Sequence, residues 1–402
     1  MSDPAATAHL CPSCGGRAER PFYEVAGVPV HQVKLVRTRD EALACARGDI
    51  ALCFCPSCGF VWNAAFDPAR MRYQEDYESS QAVSPTFNAF HERLAREVIE
   101  RFDLHGKEVV EIGCGQGEFL TMLAKLGGNR GIGFDQVDRS GSAHPTVEFV
   151  KDFYAEPYRH LRPDFVCCKM TLEHVHNTGE MLRSVRRTIG DRPEVVVLFM
   201  IPEVTRILEL GAFWDVYYEH CSYWSPGSLA RAFRTAGFDP IQLWTDYDDQ
   251  YVLIAARPGT GASPILANEE PPAALAPKVR SFAERVGADR ARWRAWLSRR
   301  QRAGDKTVLW GGGSKAVAFL TTLEIKDGVD YAVDVNRRRH GTFIAGTGQQ
   351  IVAPEFLAGY QPDAIIVMSP IYLPEITADL ERLGVHPKHL LTVETPEQPA
   401  AA

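Results

Sequence analysis

Tyr217, Glu219 and His220 bring a phenol, a carboxylate and an imidazole together in one run, GAFWDVYYEHCSYWSPGSL, at residues 211–229. That trio suits proton abstraction. An imidazole titrates near neutrality, a neighbouring carboxylate raises its basicity, and a phenol can hydrogen-bond a developing enolate. A lone histidine is more often structural, and packing is the competing explanation for His220. Folding alone, however, does not ask for a Tyr-Tyr-Glu-His run.

Two further stretches hold glycine turns. In the first, residues 111–135 read EIGCGQGEFLTMLAKLGGNRGIGFD. Val109, Val110 and Ile112 suit a buried parallel strand, Gly113, Gly115 and Gly117 a tight turn, and residues 118–125 a helix. The dinucleotide pattern G-x-G-x-x-G is not matched. A second apolar strand, 131–134, ends in Asp135, placed roughly 20 residues on, where a ribose-binding carboxylate falls. A purely steric glycine turn is the alternative.

The second stretch, VLWGGGSKAVAFL at 308–320, repeats strand, glycine turn and helix, and YAVDVN at 331–336 puts Asp334 at the end of the next strand. Gly311 and Gly313 would present free N–H groups to an anion, to which Ser314 adds a hydroxyl and Lys315 a charge. A helix packed tightly on its sheet, with no ligand, is the other reading. Further on, DAIIVMS at 363–369 reads as a buried strand. Tyr372 and Glu375 follow its carboxyl end, where open α/β sheets place ligands.

Cys11-Pro-Ser-Cys14-Gly returns as Cys55-Pro-Ser-Cys58-Gly. Two such knuckles supply four thiolates, enough to close a tetrahedron around a structural Zn²⁺. Redox chemistry is the weaker reading, since no thioredoxin-like strand and helix flank either pair. Cys53 is a substitute ligand out of register with the repeat; Cys45, Cys114, Cys167, Cys168 and Cys221 read as packing residues.

Glu111, two positions before the first glycine, belongs to the motif of class I S-adenosylmethionine methyltransferases, which residues 111–135 resemble. The resemblance implies an adenine-contacting acid at Asp152, after the apolar run 147–150. It also implies a fourth strand at 164–170 (DFVCCKM), ending in Lys169 and Met170 beside the cofactor, with TLEHV as the turn into the next helix.

The order of zinc knuckle, D-Y-x-S-S loop at 76–80, methyltransferase core and Tyr217-x-Glu219-His220 resembles the deoxysugar C-methyltransferases, over residues 11 to about 394. That resemblance implies a methyl acceptor carbon beside the ketone of a nucleotide-linked sugar. It makes His220 the base, supported by Glu219, with Tyr217 contacting the sugar and Tyr77 as second tyrosine. It also assigns Gly311, Gly313, Ser314 and Lys315 to the pyrophosphate or sugar.

Positioning these groups takes an α/β chain in three parts. A zinc-binding lobe and pocket loop cover 1–80, with an Ala-rich tail, β-like pieces at 29–36, 50–54 and 60–63, and Tyr73 and Tyr77 either packing an interface or reaching over the active site. A class I methyltransferase core, Rossmann-like, spans 81–256: helix 86–102, helix 181–189, strand 195–200 and a closing hairpin at 241–244 and 251–256. After a Pro/Ala/Gly-rich linker at 257–278, a second Rossmann-like domain fills 279–402, opening with a charged helix at 279–302 that carries Trp293 and Trp296 on one side. The lobe is too small to be stable alone and must pack on the core.

The chain has 402 residues, 45% of them hydrophobic, which suits several buried cores. Its formal charge, 44 minus 51, is −7 and argues against nucleic acid or a membrane surface as main partner. No basic and apolar leader precedes Cys11, so a cytoplasmic enzyme is expected. The expected partners are S-adenosylmethionine, structural zinc and a small-molecule acceptor, with an O- or N-methyltransferase or a non-catalytic scaffold as alternatives.

Overall fold

The computed structural model describes residues 9–18, 20–71, 76–78, 80, 82–137 and 145–395. Most of the Ala-rich tail, and Tyr73 of the pocket loop, lie outside the described residues. Runs such as Phe165–Lys169 (FVCCK) are buried along their whole length, as a parallel strand covered by helices on both faces requires. Seven strands make one sheet, in the order Val147–Lys151, Arg130–Asp135, Glu108–Ile112, Phe165–Lys169, Val196–Pro202, Tyr251–Pro258 and Phe238–Asp246. Six run in one direction, and Tyr251–Pro258 enters antiparallel to both its neighbours. The order reverses between Glu108–Ile112 and Phe165–Lys169, so the glycine turn and Lys169 both sit at a switch point, where such sheets bind ligands.

A second sheet of five parallel strands has the order Gln350–Val352, Tyr331–Val333, Thr307–Trp310, Ala364–Val367 and His389–Thr392. Its own switch point lies at the Gly311 turn.

The amino-terminal lobe is a four-stranded antiparallel sheet of Tyr23–Pro29, Arg47–Phe54, Val61–Asn63 and Ser222–Tyr223. The fourth strand comes from the core, two residues after His220. The strand expected at 29–36 therefore lies earlier. Past Pro29 the chain leaves the ladder, while Val30, Val33, Leu35 and Val36 stay buried as loop packing, which gave the segment its strand-like composition.

Helix Pro272–Ala303 begins inside the segment expected to be linker. Pro272 fits there because the first turn of a helix leaves its N–H groups without intrahelical partners. Trp293 and Trp296 are both buried, Trp293 packing edge-on to Phe319 of the second domain, while Phe282 meets Phe22 and Tyr23 of the lobe. The lobe thus packs on the core, through Phe60 against Trp224, and also on this helix. Among the described residues no helix is long and apolar enough to cross a membrane.

Candidate active site

A cavity of about 400 Å³ opens where the carboxyl ends of the two parallel sheets approach each other, and it is lined from both. On the core side, Gly113 and Gly115 adopt φ of +65° and +54°, and a Cβ on Gly113 would stand 2.1 Å from Thr171 Oγ1. Only glycine fits there. The Gly115 N–H donates to Asp135 Oδ2 at 3.0 Å and Val137 N–H to Oδ1 at 2.9 Å, so backbone amides fix the carboxylate behind the turn. Gly117 caps helix Glu118–Gly127, and a Cβ on it would meet the Phe149 ring at 2.5 Å.

Glu111 is buried beneath the turn and accepts the Leu120 N–H at 3.1 Å; burial pushes its carboxyl up to about 7. Lys169 Nζ lies 3.9 Å from Glu111 Oε1, 3.5 Å from His91 Nε2 and 4.2 Å from the centre of the Phe119 ring. A buried ammonium without a carboxylate at hydrogen-bond distance is costly, and it faces the cavity. The next residue, Met170, holds a left-handed φ of +51°, which is strained for a non-glycine residue.

Asp152, like Asp135, lies outside the lining of this cavity; its side chain is exposed and accepts Tyr158 Oη and the Phe153 N–H, each at 2.7 Å. The turn Glu156–Tyr158 folds the tyrosine back onto it.

The catalytic candidates meet at the centre of the cavity. His220 is buried, its ring 4.1 Å from that of Tyr217 and 4.9 Å from that of His174, the latter at 85°. Burial first, then His174 and the Lys315 charge, hold its imidazole well below the ordinary histidine range, so it stands as a free base at neutral pH. Glu219 supports the site differently from expectation. Its buried carboxyl accepts Tyr77 Oη at 2.6 Å and the Gln32 N–H at 2.6 Å, and burial raises it to about 7. Its backbone carbonyl accepts His174 Nδ1–H at 3.1 Å. Glu219 therefore orients Tyr77 and His174, which brings Tyr77 into the site from 142 residues away.

Glycine turn and acid recur in the second domain with matching geometry. Gly312 N–H donates to Asp334 Oδ2 at 2.9 Å and Asn336 N–H to Oδ1 at 2.8 Å, with Gly311 at φ +116° and Gly313 capping helix Ser314–Thr322. Here the turn meets the core. Lys315 Nζ is 2.7 Å from Asp215 Oδ1, and Ser314 hydrogen-bonds Tyr217. Both residues abut the catalytic loop, which differs from an open phosphate cradle.

Tyr372 and Glu375 line the same cavity, but their polar atoms engage the core: Tyr372 Oη lies 2.9 Å from Tyr247 Oη, and Glu375 Oε2 accepts Thr86 Oγ1 at 2.7 Å and Ser84 Oγ at 3.1 Å. The pocket loop ties all three parts together. Tyr77 meets Glu219, Ser80 Oγ donates to Glu118 at 2.8 Å, and Glu78 pairs with Arg338 at 2.9 Å.

Cys11, Cys14, Cys55 and Cys58 place their sulfurs within 4.8 Å of one another, with Cys11 to Cys58 at 3.7 Å and Cys14 to Cys55 at 3.6 Å. A tetrahedron with Zn–S bonds of about 2.3 Å has edges of roughly 3.8 Å, so the donor set and its spacing fit zinc. The knuckles are equivalent: Gly15 and Gly59 have φ of +74° and +77°, each donating its N–H to the first cysteine's carbonyl at 2.8 Å. Cys53 stays outside the cluster.

Glu173 and His174, from the turn Leu172–His174, also line the cavity. The signal was present: Glu-His occurs twice, at 173–174 and 219–220, and the structure interlocks the two pairs.

Residues 87–243 match a family described as a methyltransferase domain, and residues 264–388 one described as a C-methyltransferase C-terminal domain. The C-methyltransferase NovU of Streptomyces niveus is 27% identical over 304 residues, 71% of each chain. Among solved structures, the magnesium protoporphyrin IX methyltransferase ChlM of Synechocystis, with bound S-adenosylhomocysteine, is 16% identical over 45% of this chain and 89% of its own, with a TM-score of 0.35. The 1,6-didemethyltoxoflavin-N1-methyltransferase of Burkholderia thailandensis is 17% identical over 50% of this chain and 96% of its own, with a TM-score of 0.33.

Proposed function

This chain is an S-adenosylmethionine-dependent methyltransferase ending in a C-methyltransferase C-terminal domain, and we propose that it methylates the carbon alpha to a ketone of a nucleotide-linked sugar. The observation that carries this reading is His220: a buried imidazole, neutral at working pH, in the cavity shared by the core's glycine turn and the second domain. Methylating a carbon requires removal of a C–H proton, and a free-base imidazole enclosed away from water can accept it.

When bound, S-adenosylmethionine supplies an electrophilic methyl on a sulfonium centre. The turn from Gly113 to Gln116 and the buried Glu111 would hold it, with Asp135 fixed behind the turn by the Gly115 N–H, and Lys169 would take the carboxylate of its methionine part. His220 accepts the alpha proton. The Tyr217 phenol, held by Ser314, would donate to the enolate oxygen, while Tyr77, whose proton goes to Glu219, would contact the acceptor through its oxygen. Lys315, paired with Asp215, adds positive potential beside the same centre. The second domain, with Asp334 and its glycine turn, holds the nucleotide side of the acceptor.

Cys11, Cys14, Cys55 and Cys58 would hold zinc as a structural ion, and the knuckle they form leads into strand Val61–Asn63, which pairs with Ser222–Tyr223 and so anchors the loop that carries His220.

The test is His220→Asn. S-adenosylhomocysteine affinity should stay within about threefold while turnover falls by the 10²- to 10⁴-fold typical of a lost general base. Equal loss of both would refute the assignment. Titrating the S-adenosylhomocysteine-saturated protein with nucleoside diphosphates checks the acceptor, and binding of none would remove the nucleotide.

A further inference from the structure

Residues 76–78 run antiparallel to the lobe segment 33–35. Leu35 N–H donates to the Asp76 carbonyl at 2.9 Å, Glu78 N–H donates to the Val33 carbonyl at 3.0 Å, and Lys34 lies opposite Tyr77. Neighbouring side chains of an extended segment point to opposite sides. Tyr77 turns to the core, where its hydroxyl meets Glu219 at 2.6 Å, and Glu78 turns to the second domain.

There Glu78 meets a single stretch of chain, Asn336 and the turn Arg337–Arg339. Its carboxylate lies 2.9 Å from Arg338 Nη1 and accepts Asn336 Nδ2–H at 3.3 Å, while its carbonyl accepts Arg339 Nη2–H. The same stretch belongs to the network of the second glycine turn: Arg339 Nη1 donates to the Gly312 carbonyl at 3.2 Å, and Asn336 N–H donates to Asp334. Glu78, Asn336 and Arg339 are all buried. The Arg339 charge also reaches the far side of the segment. Burial raises the Glu219 carboxyl, and the hydrogen bonds from Tyr77, Gln32 and Val33, followed by the field of Arg339, act in the opposite sense.

Packing alone does not ask for a carboxylate at position 78. A buried charge is costly unless paired, and an apolar side chain would fill the same space. What the ionic contact adds is register. A slip of one residue in an extended segment exchanges its two faces, which would turn Tyr77 away from Glu219.

We infer that Glu78 is a positioning residue, latched by Arg338, Asn336 and Arg339, through which the second domain sets the placement of Tyr77 in the cavity. The phenol that contacts the acceptor is then placed by the domain that brings the acceptor. That consequence rests on the proposed function; the latch itself does not.

The experiment puts 3-fluorotyrosine at position 77 of the full-length protein and reads its fluorine resonance, which needs neither acceptor nor turnover. Glu219→Gln supplies the signal of a Tyr77 that has lost its carboxylate. Glu78→Gln and Arg338→Gln should each move the resonance toward that signal, and the double variant should move it no further than the larger single shift. Arg338→Lys, which keeps the charge, should hold the unsubstituted position. Unchanged S-adenosylhomocysteine affinity certifies each variant as folded. If Glu78→Gln fails that check, Arg338→Gln decides alone, since Arg338 is 56% exposed and its replacement disturbs little packing. A resonance unmoved by Arg338→Gln overturns the role of the second domain, and shifts that add in the double variant overturn the shared path. Either failure leaves the base assignment of His220 standing, and loss of that assignment leaves the resonance shifts as they are.

Discussion

Replacing Lys169 by Met removes the ammonium and keeps most of the side chain's length. Lys169 is 8% exposed, and its nearest carboxylate, Glu111, is 3.9 Å away and raised by burial to about 7, so it offers at most a partial counter-charge. On the proposed function, the methionine carboxylate of the methyl donor would complete the pair. Two unit charges about 4 Å apart gain about 4 kcal/mol at an effective dielectric of about 20. Desolvating the incoming carboxylate returns part of that, leaving about 2–3 kcal/mol, the range of a hydrogen bond to a charged group. The variant should therefore bind S-adenosylhomocysteine about 30- to 150-fold more weakly. The control is 5′-methylthioadenosine, which lacks the amino-acid end and should bind both proteins within about twofold. Titration calorimetry with both ligands on both proteins gives the coupling directly. If Lys169→Met weakens both ligands equally, the residue shapes the pocket and does not bind the carboxylate. If neither changes, the ammonium is compensated within the protein.

Stripping zinc, or replacing Cys14 by Ser, should lower Tm by several degrees and cost turnover more than S-adenosylhomocysteine affinity, because the knuckle anchors the base loop and not the glycine turn; unaltered turnover in metal-free protein would contradict this. Gly113→Ala should fold yet bind S-adenosylhomocysteine at least tenfold more weakly, since φ +65° and the Thr171 contact both oppose a Cβ, and calorimetry decides. Ligand-free stability should fall from pH 6.5 to 8.5. Glu173, Glu111, Glu203 and Glu219 are raised by burial to about 8, 7, 7 and 7, so the folded state keeps protons there that the unfolded state has already released. The buried histidines His91, His174 and His220, held low, oppose the trend only at its lower end, where an unfolded histidine is still partly protonated, and are neutral in both states above about pH 7.5. Glu173 alone contributes about 2 kcal/mol across that window. Denaturant melts should show the fall, reduced in Glu173→Gln, and stability rising with pH would refute it.

Local features were legible in the sequence. The glycine turn, Asp135 and the cysteine knuckles each depend on residues close in the chain, and their spacing carries their geometry. Contacts made by distant segments were not. Tyr77 meets Glu219, Lys315 meets Asp215, and Ser222–Tyr223 completes the lobe's sheet, each set by tertiary packing that no local pattern encodes. The hydrogen bond from Tyr158 to Asp152 is likewise a product of the turn that follows the strand, and no local pattern encodes it. The linker was overestimated because prolines at 271 and 272 read as loop, although a helix accepts them in its first turn.

The dependence of the base loop on Ser314 and Lys315 has a consequence for synthesis on the ribosome. His220 emerges about 95 residues before Lys315, which at about 5–20 residues per second is an interval of roughly 5–20 s. During it the nascent core has every residue of the first glycine turn, while Asp215 lacks its cation and Tyr217 its serine. A chain cut short before the second domain would carry a methyl-donor turn beside an unsealed base. The loop that carries His220 therefore gains its last polar partners only when the second domain has been made.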